Sequence, residues 1–331
     1  MWSSFHSMLV NGPFEDPCLY VRFLRERRAA LFDSGGLGRL PAAEVLKVSD
    51  IFISHTHIDH FIGFDTILRT SLRREETIRV YGPENITDCV RGKLGAYTWN
   101  LIHMYPLRIE THAIGPSTVH RTLFDARDSF RPRDMGSAAF DGTILKDDGF
   151  RVRAVMLDHG TQCLGFTLEE DYHINIDRAV LDEIGLPVGP WLAELKDAIR
   201  QERDDGHMLD AGGSARTLGS LRQIANISPG QKITYLTDIA PSMDNVIKAR
   251  DFAMGSDALY CEAYFLHSDI ARALERNHLT GRLAGWIARS SGSRRFIPLH
   301  TSPKYRSLPL NPRDEALAEY GSGESGDAPP L

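Results

Sequence analysis

The chain has 331 residues, with 38 Lys and Arg against 44 Asp and Glu, a formal net charge of -6 and 42% hydrophobic residues. That balance excludes a disordered polyelectrolyte and a uniformly basic nucleic-acid coat, so any contact with phosphate has to be local. Cys18, Cys89, Cys163 and Cys261 are widely spaced and form no CxxC pair, which argues against a disulfide framework or a zinc ribbon. No basic leader precedes an apolar core at the start, and no segment approaches about 18 uninterrupted apolar residues. The expectation is a cytoplasmic protein without a membrane partner.

Short apolar runs closed by turn residues predict strands at Leu19 to Leu24, Ala29 to Phe32, Ile51 to Ile53 and Ile78 to Tyr81. Helical spacing predicts helices over Phe61 to Leu72 and Asn85 to Tyr97. Residues 100 to 158 read as strands and loops, ending in a buried strand from Arg151 to Leu157. From about 170 to 228 the chain turns polar and rich in Gly breaks, which predicts an insertion of short helices projecting from the body, one of them Pro190 to Arg200. The alternation then resumes: strands at Lys232 to Leu236, Ala258 to Cys261 and Phe296 to Leu299, and helices at Met243 to Phe252, Ile270 to Leu274 and Thr280 to Ser290. The closing GSGESGDAPPL has too little apolar content to offset chain entropy and is expected to be mobile.

The densest chemical signal is Ser54-His55-Thr56-His57-Ile58-Asp59-His60, at the end of an apolar strand and the start of a helix. Residues two apart on an extended segment point the same way, so His55 and His57 can share one metal ion. Asp59 and His60, in the turn beyond, can face a second. Imidazole nitrogen with carboxylate oxygen suits zinc, with manganese or iron as alternatives. Two ions need further ligands, and His159, Asp238 and His300 each follow a predicted strand directly. His103, His112, His120, His173, His207 and His267 sit in no such pattern.

With LFDSGG at 31–36, IFISHTHIDHFIG at 51–63, LDHGTQCLGF at 157–166, YLTD at 235–238, CEAYF at 261–265, NHLTGRLAG at 277–285 and LHTSPKY at 299–305, the chain resembles the ribonuclease Z family of tRNA 3′-processing endonucleases. The resemblance implies a metallo-β-lactamase αββα sandwich formed by 1–169 and 229–320, with an inserted arm at 170–228 and a disordered tail at 321–331. It implies two zinc ions, one held by His55, His57 and His159, the other by Asp59, His60 and His300, with Asp238 bridging. It further implies that Asp59 orients or deprotonates water, and that Glu262 and His278 form a proton-donating pair, His278 protonating the departing 5′ oxygen of a trailer. The partners implied are precursor tRNA and a second copy of the chain in a homodimer. Leu186-Pro187-Val188-Gly189-Pro190 resembles the Gly-Pro motif of the family's substrate-clamping arm.

The chain departs from the family in its opening loop, Asn11 to Pro17, at Tyr264, where a small hydroxyl residue is usual, and at Leu279, where Ser is usual. Glu194, Asp197, Glu202, Asp204 and Asp205 make the arm acidic. These departures motivate a competing expectation, a phosphodiesterase or ester hydrolase acting on a small anionic substrate such as a cyclic nucleotide. Arg69, Arg73, Arg74, Arg131, Arg133, Lys304 and Arg306 are candidate phosphate contacts.

Overall fold

The computed structural model describes residues 4–24, 26–147, 149–322 and 328–331. An eight-stranded sheet is formed by β1 (Phe5–Leu9), β2 (Leu19–Phe23), β3 (Ala29–Phe32), β4 (Val48–Phe52), β5 (Ile78–Pro83), β6 (Arg108–Ile114), β7 (Thr118–Asp125) and β8 (Pro132–Ala139), in chain order. β3 to β6 run parallel, and antiparallel pairs flank them on both sides. Parallel neighbours need a crossover between them. The helices Ala42–Val45, Phe64–Thr70 and Ile86–Gly95 provide those crossovers in turn.

The second sheet begins with β9 (Thr143–Asp147), β10 (Phe150–Asp158) and β11 (Gln162–Glu170). After an excursion containing β12 (Tyr172–Ile176), β13 (Met208–Asp210), β14 (Ala215–Thr217) and β15 (Ala225–Pro229), it is completed by β16 (Lys232–Leu236), β17 (Ala258–Glu262) and β18 (Phe296–Leu299). Its order is β18-β17-β16-β11-β10-β9, with β16, β17 and β18 parallel. β3 and β17 are buried along their whole length, as expected of parallel strands covered on both faces.

Three apolar layers hold the sandwich. Phe32 and Phe52 of the first sheet meet Phe166 of the second at ring distances of 5.9 and 5.7 Å, and Phe32 lies 6.0 Å from Tyr235. On the outer side of the first sheet, Leu31, Ile51 and Val80 pack with Phe64, Ile67 and Val90. Outside the second, Leu236, Leu259 and Cys261 pack with Val246, Leu283, Trp286 and Ile287. The arrangement is αββα. Cys18, Cys89, Cys163 and Cys261 are all free thiols.

Most expected elements coincide with observed ones to within a few residues, but the helix expected over Phe61 to Leu72 is interrupted. It is split into Ile58–Phe61 and Phe64–Thr70 because Gly63 is pinned against the loop after β3. The Gly63 amide donates to Ser34 O at 2.8 Å, and a β-carbon at Gly63 would lie 2.1 Å from Gly35 O. Only glycine fits that approach.

Residues Asp147–Arg151 and Glu169–Gln231 form a compact unit of their own. It contains the expected short helices, Arg178–Glu183 and Trp191–Arg200, and also two small antiparallel sheets, β12 with β15 and β13 with β14. It has a private core of Leu181, Trp191, Leu195, Ile199, Leu218, Leu221 and Ile224, all buried. The polar composition of this stretch concealed that core. Its acidic residues are partly neutralised internally, with Arg200 against Asp197 at 3.1 Å and Arg222 against Asp205 at 2.7 Å. At the chain's end, Gly321 closes the helix Pro312–Gly321, while 323–327, within the expected mobile tail, lie outside the described residues.

Candidate metal centre

The donors gather where strands end. Asp33 follows β3, His55 follows β4, His159 lies in the turn between β10 and β11, Asp238 follows β16, Glu262 ends β17 and His300 follows β18. Strand ends in open α/β sheets form the usual ligand crevice, because the chain leaves the hydrogen-bonded ladder there and its side chains are no longer packed between layers. Asp33, Asp238 and His300 all adopt the left-handed backbone region, with φ of 56°, 54° and 52°. That conformation strains L-residues and is concentrated at functional sites.

Asp238 is the hub. Its Oδ2 lies 3.4 Å from His55 Nε2, 3.4 Å from His60 Nε2 and 3.3 Å from His159 Nε2. Tetrahedral zinc bonds of about 2.0–2.1 Å place ligand atoms about 3.3 Å apart, so this spacing is that of donors around a shared cation. His55, His57, His159 and Asp238 form one set of mutually close donors, and Asp59, His60 and His300 form another. In the second set Asp59 Oδ2 is 3.4 Å from His300 Nε2 and 3.5 Å from His60 Nε2. His55 Nε2 and His60 Nε2 are buried nitrogens without a hydrogen-bond partner. Such orphaned atoms are costly unless something coordinates them. Donor type, spacing and orphaned nitrogens all fit divalent metal coordination.

The outward-facing nitrogens are fixed by neighbours. His60 Nδ1 donates to Asp33 Oδ2 at 2.8 Å, and His159 Nδ1 donates to Asn277 O at 2.7 Å. Ser54 Oγ lies 3.1 Å from His55 Nδ1. These partners set tautomer and ring orientation, leaving Nε2 for the centre. Asp33 also accepts from Ser54 N at 2.7 Å, Ser54 Oγ at 2.9 Å and Tyr235 Oη at 2.8 Å. Nothing in the sequence pattern separates Asp33 from an ordinary turn aspartate, although it lies within the LFDSGG segment. The backbone closes in as well, since a β-carbon at Gly160 would meet Asn277 Nδ2 at 2.7 Å.

Charge in the ion-free chain follows from this crowding. Burial pushes the His55 imidazole down to about 2, helped by the charge of His60. Burial also lowers His57, assisted by His159. His60 and His300 go the other way despite burial: the Asp238 and Asp33 carboxylates raise His60, and Asp238 with Asp59 raises His300 to about 9. Burial would raise the carboxyls of Asp59 and Asp238, but His300 and His60 hold both well below the usual range.

Glu262 and His278 form a separate pair beside the donors. Glu262 is fully buried; its Oε1 accepts Ile239 N at 2.7 Å and Leu279 N at 3.0 Å, and its Oε2 accepts His278 Nδ1 at 2.8 Å. The carboxylate is thereby committed to orienting His278, whose Nε2 stays available. Tyr264 stacks on that imidazole, and both line a cavity of about 470 Å³ with His57, Asp59, His159, Asp238, His300 and two arginines, Arg272 and Arg276. All nine residues singled out in the sequence thus converge. The arginines went unnoticed because no pattern marks them.

The basic residues nominated in the sequence are engaged elsewhere in several cases. Arg74 donates to Leu46 O, Lys304 pairs with Asp269 at 2.8 Å, and Arg306 donates to Phe14 O at 3.3 Å. The opening loop is anchored, Asn11 Nδ2 donating to Asp16 O and Gly36 O, and Thr301 N donating to Pro13 O.

No protein-family model matches the chain. Among individual proteins, the ribonuclease Z of Deinococcus radiodurans is 29% identical over 305 residues, covering 90% of both chains. That of Halorubrum lacusprofundi is also 29% identical, covering 89% of this chain and 84% of its own. The chain is thus similar to ribonuclease Z over about nine-tenths of its length. In three dimensions a long-form RNase Z from yeast superposes with a TM-score of 0.55 at 14% identity, over 92% of this chain and 38% of the yeast protein. The metallo-β-lactamase fold protein YhfI from Bacillus subtilis gives 0.52 at 14% identity, over 97% and 93%. The fold is the metallo-β-lactamase fold. Among the described residues no helix is long and apolar enough to cross a membrane.

Proposed function

We propose that this ribonuclease Z relative is a metal-dependent hydrolase, an endoribonuclease that removes 3′ trailers from precursor tRNA, acting as a cytoplasmic homodimer with two zinc ions per site. The observation that carries the reading is the convergence of three imidazole Nε2 atoms on one carboxylate oxygen of Asp238, with His278, held from behind by Glu262, on the wall of the same cavity. His55, His57 and His159 would hold one ion, Asp59, His60 and His300 the other, and Asp238 would bridge them. When bound, paired divalent ions supply Lewis acidity at a phosphoryl oxygen and make water nucleophilic near neutral pH.

The chain's own groups then have defined tasks. Asp59, the most exposed of the acidic donors, faces the cavity and is held as a carboxylate, suited to orient water or accept its proton. His278 delivers a proton from Nε2 while Glu262 fixes its tautomer through Nδ1. Atom balance corrects the sequence expectation on one point. A 3′ hydroxyl on the tRNA requires the P–O3′ bond to break, so the proton goes to the 3′ oxygen of the tRNA and the phosphate leaves on the trailer. The unit at 169–231 is proposed to contribute to binding the RNA.

The test incubates zinc-loaded protein with a 3′-extended precursor tRNA and, separately, with bis-p-nitrophenyl phosphate and a cyclic nucleotide. Cleavage at the trailer junction is expected, and it should be lost in Asp59→Ala and His278→Ala. Hydrolysis of the small esters alone would replace this reading with the small-substrate phosphodiesterase. Deleting residues 175–225 should weaken tRNA cleavage while sparing the small ester.

A further inference from the structure

We infer that Arg272 and Arg276 form a phosphate clamp for the RNA strand retained after cleavage, gripping the phosphodiester immediately 5′ of the nucleotide that carries the leaving oxygen. The inference rests on the ribonuclease reading and names the part of the substrate that this side of the cavity recognises.

Arg272 and Arg276 are four residues apart on the helix Ile270–Arg276, a spacing that puts both on one face. Both line the cavity that contains the donor cluster and His278. The helix ends at Asn277, whose left-handed backbone (φ 58°) reverses the chain and sends His278 inward. Proton donor and cations are thus delivered by one short segment. Because His278 protonates the 3′ oxygen, the wall around it meets the nucleotide bearing that oxygen, and the charged group nearest on that strand is the next phosphate upstream. Two guanidiniums suit a phosphate because their planar forks donate in pairs.

Two acids lie nearby: Asp269 accepts from Lys304 at 2.8 Å and from Tyr305, and Glu275 reaches Arg276 Nε only at 3.9 Å, the outer limit of an ion pair. Both arginines are exposed, and the phosphodiester assigned to them exists only in a polynucleotide. A small ester or cyclic mononucleotide would therefore gain nothing from the pair, whereas a polynucleotide would.

The experiment uses the full chain and two precursor tRNAs, one unmodified and one carrying a neutral methylphosphonate at that single linkage. Binding is read by fluorescence anisotropy, and cleavage by KM and kcat. For the wild type, the methylphosphonate is expected to weaken binding and raise KM about tenfold. For Arg272→Ala/Arg276→Ala the two RNAs should behave alike, both as weakly as the neutral RNA does with wild type. The variant's dependence of log binding on log salt should be shallower by about one. Hydrolysis of bis-p-nitrophenyl phosphate should stay within twofold of wild type. Equal wild-type binding of both RNAs, or additive losses from the variant and the methylphosphonate, would overturn the clamp. If wild type binds the RNAs with the expected difference but cuts neither, the clamp stands and the ribonuclease reading falls.

Discussion

Tyr264 lies flat on His278, their ring centroids 3.9 Å apart and their planes only 9° from parallel. The imidazole is thus fixed on two sides, by the Glu262 carboxylate in its plane and by the phenol ring across its face. Aromatic pairs contribute about 0.5–1.5 kcal/mol beyond the area they bury. Tyr264→Thr, which removes the stacked ring, should lower kcat up to tenfold with a smaller change in KM. Tyr264→Phe should retain nearly all activity. Steady-state kinetics on precursor tRNA decide it: a change confined to KM would mean that Tyr264 contacts substrate instead of orienting the histidine.

Asp33 touches no candidate ion position but holds His60 Nδ1, Ser54 and Tyr235 at once. Asn in its place turns one acceptor into a donor that faces other donors. Neighbours of this kind typically change metal affinity 10–100-fold. Competition with a chelating dye should show a loss of that size for Asp33→Asn, with folding retained by circular dichroism. An unchanged affinity would show that His60 is oriented by its surroundings without Asp33.

Zinc binding should expel protons. His300 is raised to about 9 and so carries a proton at pH 7.5, and His60 is shifted in the same direction by Asp238 and Asp33. A proton and a cation compete for the same nitrogen, and affinity therefore rises with pH until about 9. Titration calorimetry in two buffers of different ionisation enthalpy should give at least one proton released on metal binding at pH 7.5. Zero release would contradict the charge distribution described.

His112, remote from the centre, gives a separate acid sensitivity. Burial, then the charges of Arg79 and Arg121, lower it to about 4, and it stacks on Tyr81 at 4.2 Å. An unfolded histidine takes its proton near 6.5 while the folded one stays neutral, so its contribution is intact above pH 6.5 and is lost as pH falls toward 4. The difference amounts to at most ~3 kcal/mol. His112→Phe keeps the stack and should flatten the fall in melting temperature between pH 6.5 and 4 relative to wild type. Parallel curves for the two proteins would refute it.

The sequence made the sandwich legible because its strands are short, apolar and closed by turn residues, and because His55 to His60 compress four donors into six positions. His159, Asp238 and His300 could be nominated since each directly follows such a strand. Asp33 obeys the same rule but looks like any turn aspartate until Tyr235, 202 positions away, is seen to donate to it. Arg272 and Arg276 are ordinary helix cations by pattern, and only the folded structure shows that the helix carrying them lies along the cavity. The core of 169–231 was hidden for another reason: Leu181, Trp191, Leu218 and their partners are dispersed among charged residues, so no window is apolar enough to announce them.

The left-handed backbone at Asp33, Asp238 and His300 reaches beyond the local geometry of the centre. Among residues with a β-carbon, Asp, Asn and His tolerate that region best. Glutamate could offer the same carboxylate chemistry at 238, but there its longer side chain would meet an unfavourable main chain as well as a displaced oxygen. The polypeptide itself thus screens candidate ligands before any cation arrives, and drift at these three strand ends is confined to a very small alphabet.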